Sequence, residues 1–116
     1  MNNCNEFLSK SNATIIIGHS TLPSQKEADL LVKILQEQGL IACAQIEGPI
    51  LSKYTWNGKA EESEEWRITL KFKNGNIEKL TKVLQQYHPY ENPEGVYWEA
   101  KTTKAYSGWV KNPKGS

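Results

Sequence analysis

Long apolar runs, a cysteine framework, a charge excess and every common catalytic signature are missing from this chain of 116 residues. No apolar stretch approaches the ~20 residues that a membrane-spanning helix needs. The first twelve residues, "MNNCNEFLSKSN", are polar and lack the apolar centre of a secretory signal. The expectation is a soluble, cytoplasmic protein with no membrane partner. Only two cysteines occur, Cys4 in that polar stretch and Cys43 in an apolar run, and their spacing matches no paired-ligand motif. They read as reduced thiols, Cys43 as a small buried hydrophobe. With 14 Lys and Arg against 13 Asp and Glu, the net charge of +1 gives no long-range field to gather nucleic acid. A phosphate-cradling glycine loop, a nucleophile elbow and a zinc-protease motif are all absent, so enzymatic activity has no signature.

What remains is a chain of the right length for one domain with a real core. "ATIIIGHS" (Ala13 to Ser20) carries β-branched residues on both faces, as a central strand does. "SQKE" (Ser24 to Glu27) forms a capping box, and Ala28, Leu31, Val32 and Leu35 follow at helical spacing until Gly39. "LIACAQIE" (Leu40 to Glu47) predicts a second strand, interrupted by Gly48-Pro49 as by a bulge and resumed in "ILSKYTW". In "WRITLKFK", Trp66, Ile68, Leu70 and Phe72 alternate with Arg67, Thr69, Lys71 and Lys73, so this strand has one dry face. Ile77, Leu80, Val83, Leu84 and Tyr87 mark a second amphipathic helix that Pro89 ends. "EGVYWEA" (Glu94 to Ala100) predicts a fourth strand, and Tyr106 to Pro113 a short terminal turn or helix.

The order β-α-β-β-α-β is the ferredoxin-like α+β plan: two helices cover one face of a four-stranded antiparallel sheet. The other face is left open, and has to be polar or hidden. The domain is expected over residues 13–112, between an N-terminal tail of 1–12 and a C-terminal tail of 113–116.

Asn57-Gly58 between two extended runs is a strong hairpin signal, because both central residues of a type I′ turn need positive φ. A two-residue loop places Trp56 opposite Lys59, Tyr54 opposite Glu61, Lys53 opposite Glu62 and Leu51 opposite Glu64. Lys53 and Glu62 then read as a cross-strand ion pair. The four glutamates between Glu61 and Glu65 fall on two faces and cannot converge on one ion, so they read as the wetted side of a ribbon. Tyr54 and Trp56 bury little within such an arm. They predict docking on a neighbouring chain.

"LIACAQI", "YTWNGKAEESEE" and "HPYENPE" (His88 to Glu94), in this order, resemble the CutA family of small divalent-cation tolerance proteins over nearly the whole chain, from Thr14 to Val110. The resemblance implies a ferredoxin-like subunit assembled as a homotrimer through extended hairpins. It also implies cytoplasmic binding of copper or another divalent cation. In members with a proposed copper site, a cysteine ends the first strand and a histidine precedes Pro-Tyr; His19 stands in the cysteine's place, and His88 matches the histidine.

Topology brings His19, His88 and Glu91 to one edge, since the first strand and second helix end together where the fourth strand begins. Two imidazoles and a carboxylate suit Cu(II) or Zn(II), and a tight site needs at least three aimed donors. Each also has an ordinary reading. His88 is a helix C-terminal imidazole favoured by the macrodipole, His19 a polar strand end, and Glu91 loop solvation near Pro93. Tyr90 reads as packing or an interface anchor. The alternative function is a PII-like trimer that senses a small ligand. An RNA-binding sheet is disfavoured, because "ATIIIGHS" offers no aromatic to stack on a base.

Overall fold

In the computed structural model, residues 13–115 are described; the expected N-terminal tail and Cys4 lie outside them. The elements are β1 (Thr14–Leu22), α1 (Gln25–Glu37), β2 (Cys43–Trp56), β3 (Lys59–Phe72), α2 (Ile77–Tyr87), β4 (Val96–Lys101) and α3 (Lys104–Lys111), with a 3-10 turn at Asn74–Asn76. The sheet order is β2-β3-β1-β4, every neighbouring pair antiparallel. This is the expected ferredoxin-like plan, with a terminal helix added.

Local chemistry sets the elements. The Ser24 hydroxyl accepts the Glu27 amide at 3.1 Å, as the expected N-cap does, and donates to the Glu27 carboxylate at 2.9 Å, so the carboxylate reaches back to the cap's hydroxyl. Four α1 residues, Ala28, Leu31, Val32 and Leu35, are buried at helical spacing. In β3, Ile68, Leu70 and Phe72 are fully buried and their alternate neighbours are not. These side chains meet Leu22, Leu35 and Leu80 in one core between the sheet and the two helices. Each large side chain buried there contributes about 1.5–3 kcal/mol relative to exposure.

Some expectations shift. The second strand begins only at Cys43, and Leu40 and Ile41 enter the core from the preceding turn. Tyr87, at helical spacing from Val83 and Leu84 but the last residue of the second helix, is 47% exposed instead of joining their buried stripe. Cys43 is half-buried rather than enclosed, being paired with Lys71 on the face opposite the helices.

The long arm follows the predicted register: Trp56 faces Lys59, Tyr54 faces Glu61, Lys53 faces Glu62 and Leu51 faces Glu64. Asn57 and Gly58 take φ of 51° and 77°, as a type I′ turn demands. The register slips between Glu47 and Ile50, at Gly48-Pro49. A Cβ on Gly48 would sit 2.3 Å from the Trp66 ring, so only glycine lets that indole lie against the β2 backbone. The expected Lys53–Glu62 ion pair does not close: both side chains are exposed, where water competes and such pairs are worth about 0–1 kcal/mol. Arg67 and Glu47 do meet, at 3.6 Å.

The face of the sheet opposite α1 and α2 is only partly free. At one end α3 lies across it, with Ser107 and Val110 buried and the Ser107 hydroxyl donating to the Thr14 carbonyl at 3.3 Å. Lys71 Nζ lies 5.9 Å from the centre of the Tyr106 ring. The other end opens into the arm.

Candidate functional site

The site is built where β1 ends, α2 ends and β4 starts. His88 follows α2 and is 8% exposed. Its Nδ1 accepts the Tyr90 amide at 3.1 Å, which leaves the proton on Nε2, and Nε2 donates to the Thr21 carbonyl at 2.9 Å. The neutral imidazole thus pins the "HPYENP" loop to the end of β1. Tyr90, 5.0 Å from the His88 ring between centroids, reaches across and donates its hydroxyl to Glu65 Oε2 at 2.7 Å.

Electrostatics follow from burial. His88 is held below the usual imidazole range chiefly by burial, which outweighs the Thr21 carbonyl and the Glu27 and Glu65 carboxylates. Burial of Glu65 works to raise its pKa, but hydrogen bonds from Ser52, Tyr90 and Thr21, together with the His88 interaction, win and the carboxyl titrates below its ordinary value. Tyr90 is driven well above the usual phenol range by burial and then by the Glu65 carboxylate. At neutral pH the cluster is a neutral imidazole, a carboxylate and a phenol.

Beside this cluster runs an open groove of about 840 Å³ between the arm and the "YENPE" segment. Tyr54, Trp56 and Tyr90 supply its aromatic lining; Glu61, Glu64, Glu65, Glu91 and Glu94 supply carboxylates, and no lysine, arginine or histidine lines it. Tyr54 and Trp56 are 45% and 46% exposed, so nearly half of each side chain is left uncovered. The three residues expected to serve an oligomer interface therefore share one concave surface.

The expected metal donors are placed differently. Glu91 lines the groove, while the His19 ring stands edge-on to Trp98 with centroids 5.0 Å apart. His88 has a hydrogen-bond partner at each ring nitrogen and offers no free lone pair. Among the described residues, no group of three or more His, Cys, Asp or Glu side chains could hold a metal ion. A tight transition-metal site needs such a set, and the residues of one protomer do not fit it.

Sequence reasoning missed Glu65, which read as part of the wetted ribbon and is 8% exposed. The available signal was its position: it is the last acidic residue before the dry run of β3, on the same face as Tyr54.

The sequence profile described as "CutA1 divalent ion tolerance protein" matches residues 16–113. The "Divalent-cation tolerance protein CutA" of Escherichia coli is 36% identical over 85 residues, covering 72% of this chain and 75% of that protein. The mouse "Protein CutA" is 29% identical over 99 residues, and there the match covers 75% of this chain but only 56% of the longer relative. The crystal structure of the divalent ion tolerance protein CutA1 from Ehrlichia chaffeensis superposes with a TM-score of 0.80 at 31% identity, over 86% of this chain and 94% of that one.

Proposed function

Since this chain belongs to the CutA1 divalent ion tolerance family, we propose that it works as a cytoplasmic homotrimer in the response to divalent cations, without catalytic chemistry of its own. The observation that carries the assembly is the pair Tyr54 and Trp56, large rings left nearly half exposed on a two-stranded arm. Such an arm is marginal alone, and aromatic anchors of this size gain most when a second protein surface excludes water from them. A neighbouring copy is the surface that a family of small single-domain chains offers.

The cation enters from the family's printed description and reaches this chain as a property of the assembly. His88 is a structural residue that holds the loop. Among the described residues the side chains of His19 and Glu91 engage no hydrogen-bond partner, and they are the donors left to meet copper or another divalent ion.

Light scattering on a sizing column tests the assembly. The expected mass is three times the 13.2 kDa of one chain, falling toward a single chain when Tyr54 and Trp56 are both changed to Ala. A wild-type protein that runs as a monomer at micromolar concentration would overturn the reading.

A further inference from the structure

The chain has two Asn-Gly pairs, Asn57-Gly58 at the tip of the arm and Asn74-Gly75 in the 3-10 turn before α2. Asparagine is most prone to lose its side-chain amide when glycine follows, because the glycine nitrogen reaches the preceding side chain with no Cβ in its way. Sequence makes the two sites alike, and the fold separates them. At the tip, Asn57 and Gly58 are exposed, and even a Cβ added to Gly58 would meet no atom within 4 Å. Among the described residues neither the Asn57 side chain nor the Gly58 amide has a hydrogen-bond partner. Asn57 is also the only non-glycine described at positive φ. Opening this turn parts only the last pair of the ladder, Trp56 and Lys59, both exposed. The Asn74 turn is tied down instead: the Asn76 amide donates to the Lys73 carbonyl at 3.0 Å, the Asn76 side chain to the Leu40 carbonyl at 3.1 Å and the Ile77 amide to the Asn74 carbonyl. Ile77 then packs on the core.

We propose that Asn57 is a site of spontaneous deamidation in the folded protein, and that its isoaspartyl product unlocks the end of the arm. The Gly58 nitrogen attacks the Asn57 side-chain carbonyl carbon, the new C–N bond closes a succinimide ring, and the side-chain amide leaves as ammonia with the proton that Gly58 gives up. Water then opens the ring at either carbonyl, its hydroxyl going to carbon and its proton to nitrogen, to give aspartate or isoaspartate. Closure swings the Gly58 nitrogen toward the Asn57 side chain, away from the ψ of about 30° kept by the first central residue of a type I′ turn. Each event therefore starts from an opened tip, which a marginal two-stranded arm reaches more readily than a turn fastened to the core. The products differ in effect. Asp-Gly still suits a type I′ turn and adds only a charge. Isoaspartate routes the main chain through the side-chain carbon and lengthens a two-residue loop, so the pairing of Trp56 with Lys59 is lost. The site is read from one protomer and does not rest on the cation or the assembly.

The test incubates the full-length wild-type protein at mildly alkaline pH, native and in urea. Mass spectrometry follows conversion of amide to acid in the peptides that carry Asn57 and Asn74, and an isoaspartyl methyltransferase with labelled S-adenosylmethionine counts isoaspartate. In urea the two sites are expected to react at similar rates. In the native protein Asn57 should lead Asn74 by roughly tenfold or more, the factor that two further hydrogen bonds place on an opening equilibrium. Brief trypsin treatment at Lys59 reads the arm: isoaspartyl chains should be cut faster than the Asn57→Asp variant, which carries the charge without the added carbon and should match fresh wild type. Equal native rates, a faster Asn74, or conversion of Asn57 in urea alone would each overturn the site, the last by showing a tip that stays closed or covered. Isoaspartyl chains cut no faster than Asn57→Asp would overturn the unlocking of the arm.

Discussion

The Tyr90 hydroxyl donates to the buried Glu65 carboxylate at 2.7 Å, joining the loop after α2 to the middle of a strand 25 residues earlier. This bond and the His88 contact to Thr21 hold one wall of the groove against the other. Replacing Tyr90 by Phe removes a donor from a carboxylate that stays enclosed. The expected loss is about 1.5–3 kcal/mol of unfolding free energy, the range for hydrogen bonds to charged groups, read from urea denaturation. A double cycle with Glu65→Gln should show coupling above about 0.5 kcal/mol. Independent, additive effects would show that the bond contributes nothing specific.

Stability should depend on pH in a defined direction. Because His88 is held neutral when folded, the unfolded chain binds more protons below about pH 6.5, where an ordinary imidazole titrates. Stability is full above that pH and falls as the pH drops toward the lowered folded pKa. Glu65 adds a second loss as the pH falls from about 4.3, the ordinary glutamate value, through its own lowered pKa. Tyr90 acts at the other limit: the unfolded phenol ionises above about pH 10 while the folded one keeps its proton, so stability declines there. Urea midpoints across pH should form a plateau between these limits. His88→Asn should flatten the limb that begins below about pH 6.5, the ordinary imidazole value; a limb that survives unchanged would assign it to another group.

Gly48→Ala should destabilise by about 1–3 kcal/mol, the usual cost of forcing an atom into filled space. The added methyl would meet the Trp66 ring at 2.3 Å and 2.6 Å. The indole must move, and tryptophan emission should shift with the denaturation midpoint. An alanine variant as stable as wild type would show that Trp66 repacks freely.

Copper titration separates the two histidines. His19→Ala is expected to weaken binding of Cu(II) to the assembled protein several-fold, since its ring carries no hydrogen bond. His88→Ala should lower the melting temperature and leave affinity nearly unchanged at temperatures where the variant stays folded, because both of its ring nitrogens are already engaged. The reverse pattern would make His88 the donor.

Features governed by neighbours in sequence were legible. The Ser24 cap, the alternation of Ile68, Leu70 and Phe72, and the pairing of Tyr54 with Glu61 through a two-residue turn all depend on spacing within a few residues. Their physics is the geometry of one helix or one hairpin, and the sequence writes it directly. The topology followed from the order of the elements, because connections in such a sheet have few alternatives.

The site was legible only as a list of residues. In sequence Glu65 differs from Glu61, Glu62 and Glu64 only in being the last of them before the dry run of β3, yet it alone among them is buried, because Tyr90 and Ser52 close over it. Likewise nothing near His88 says that its two nitrogens are taken by a carbonyl 67 residues away and an amide two residues on. Sequence determined which elements form and which faces they present. Tertiary structure decided which polar groups lose water and whom they bond instead, since desolvation is set by chain segments far apart in sequence that fold into the same place.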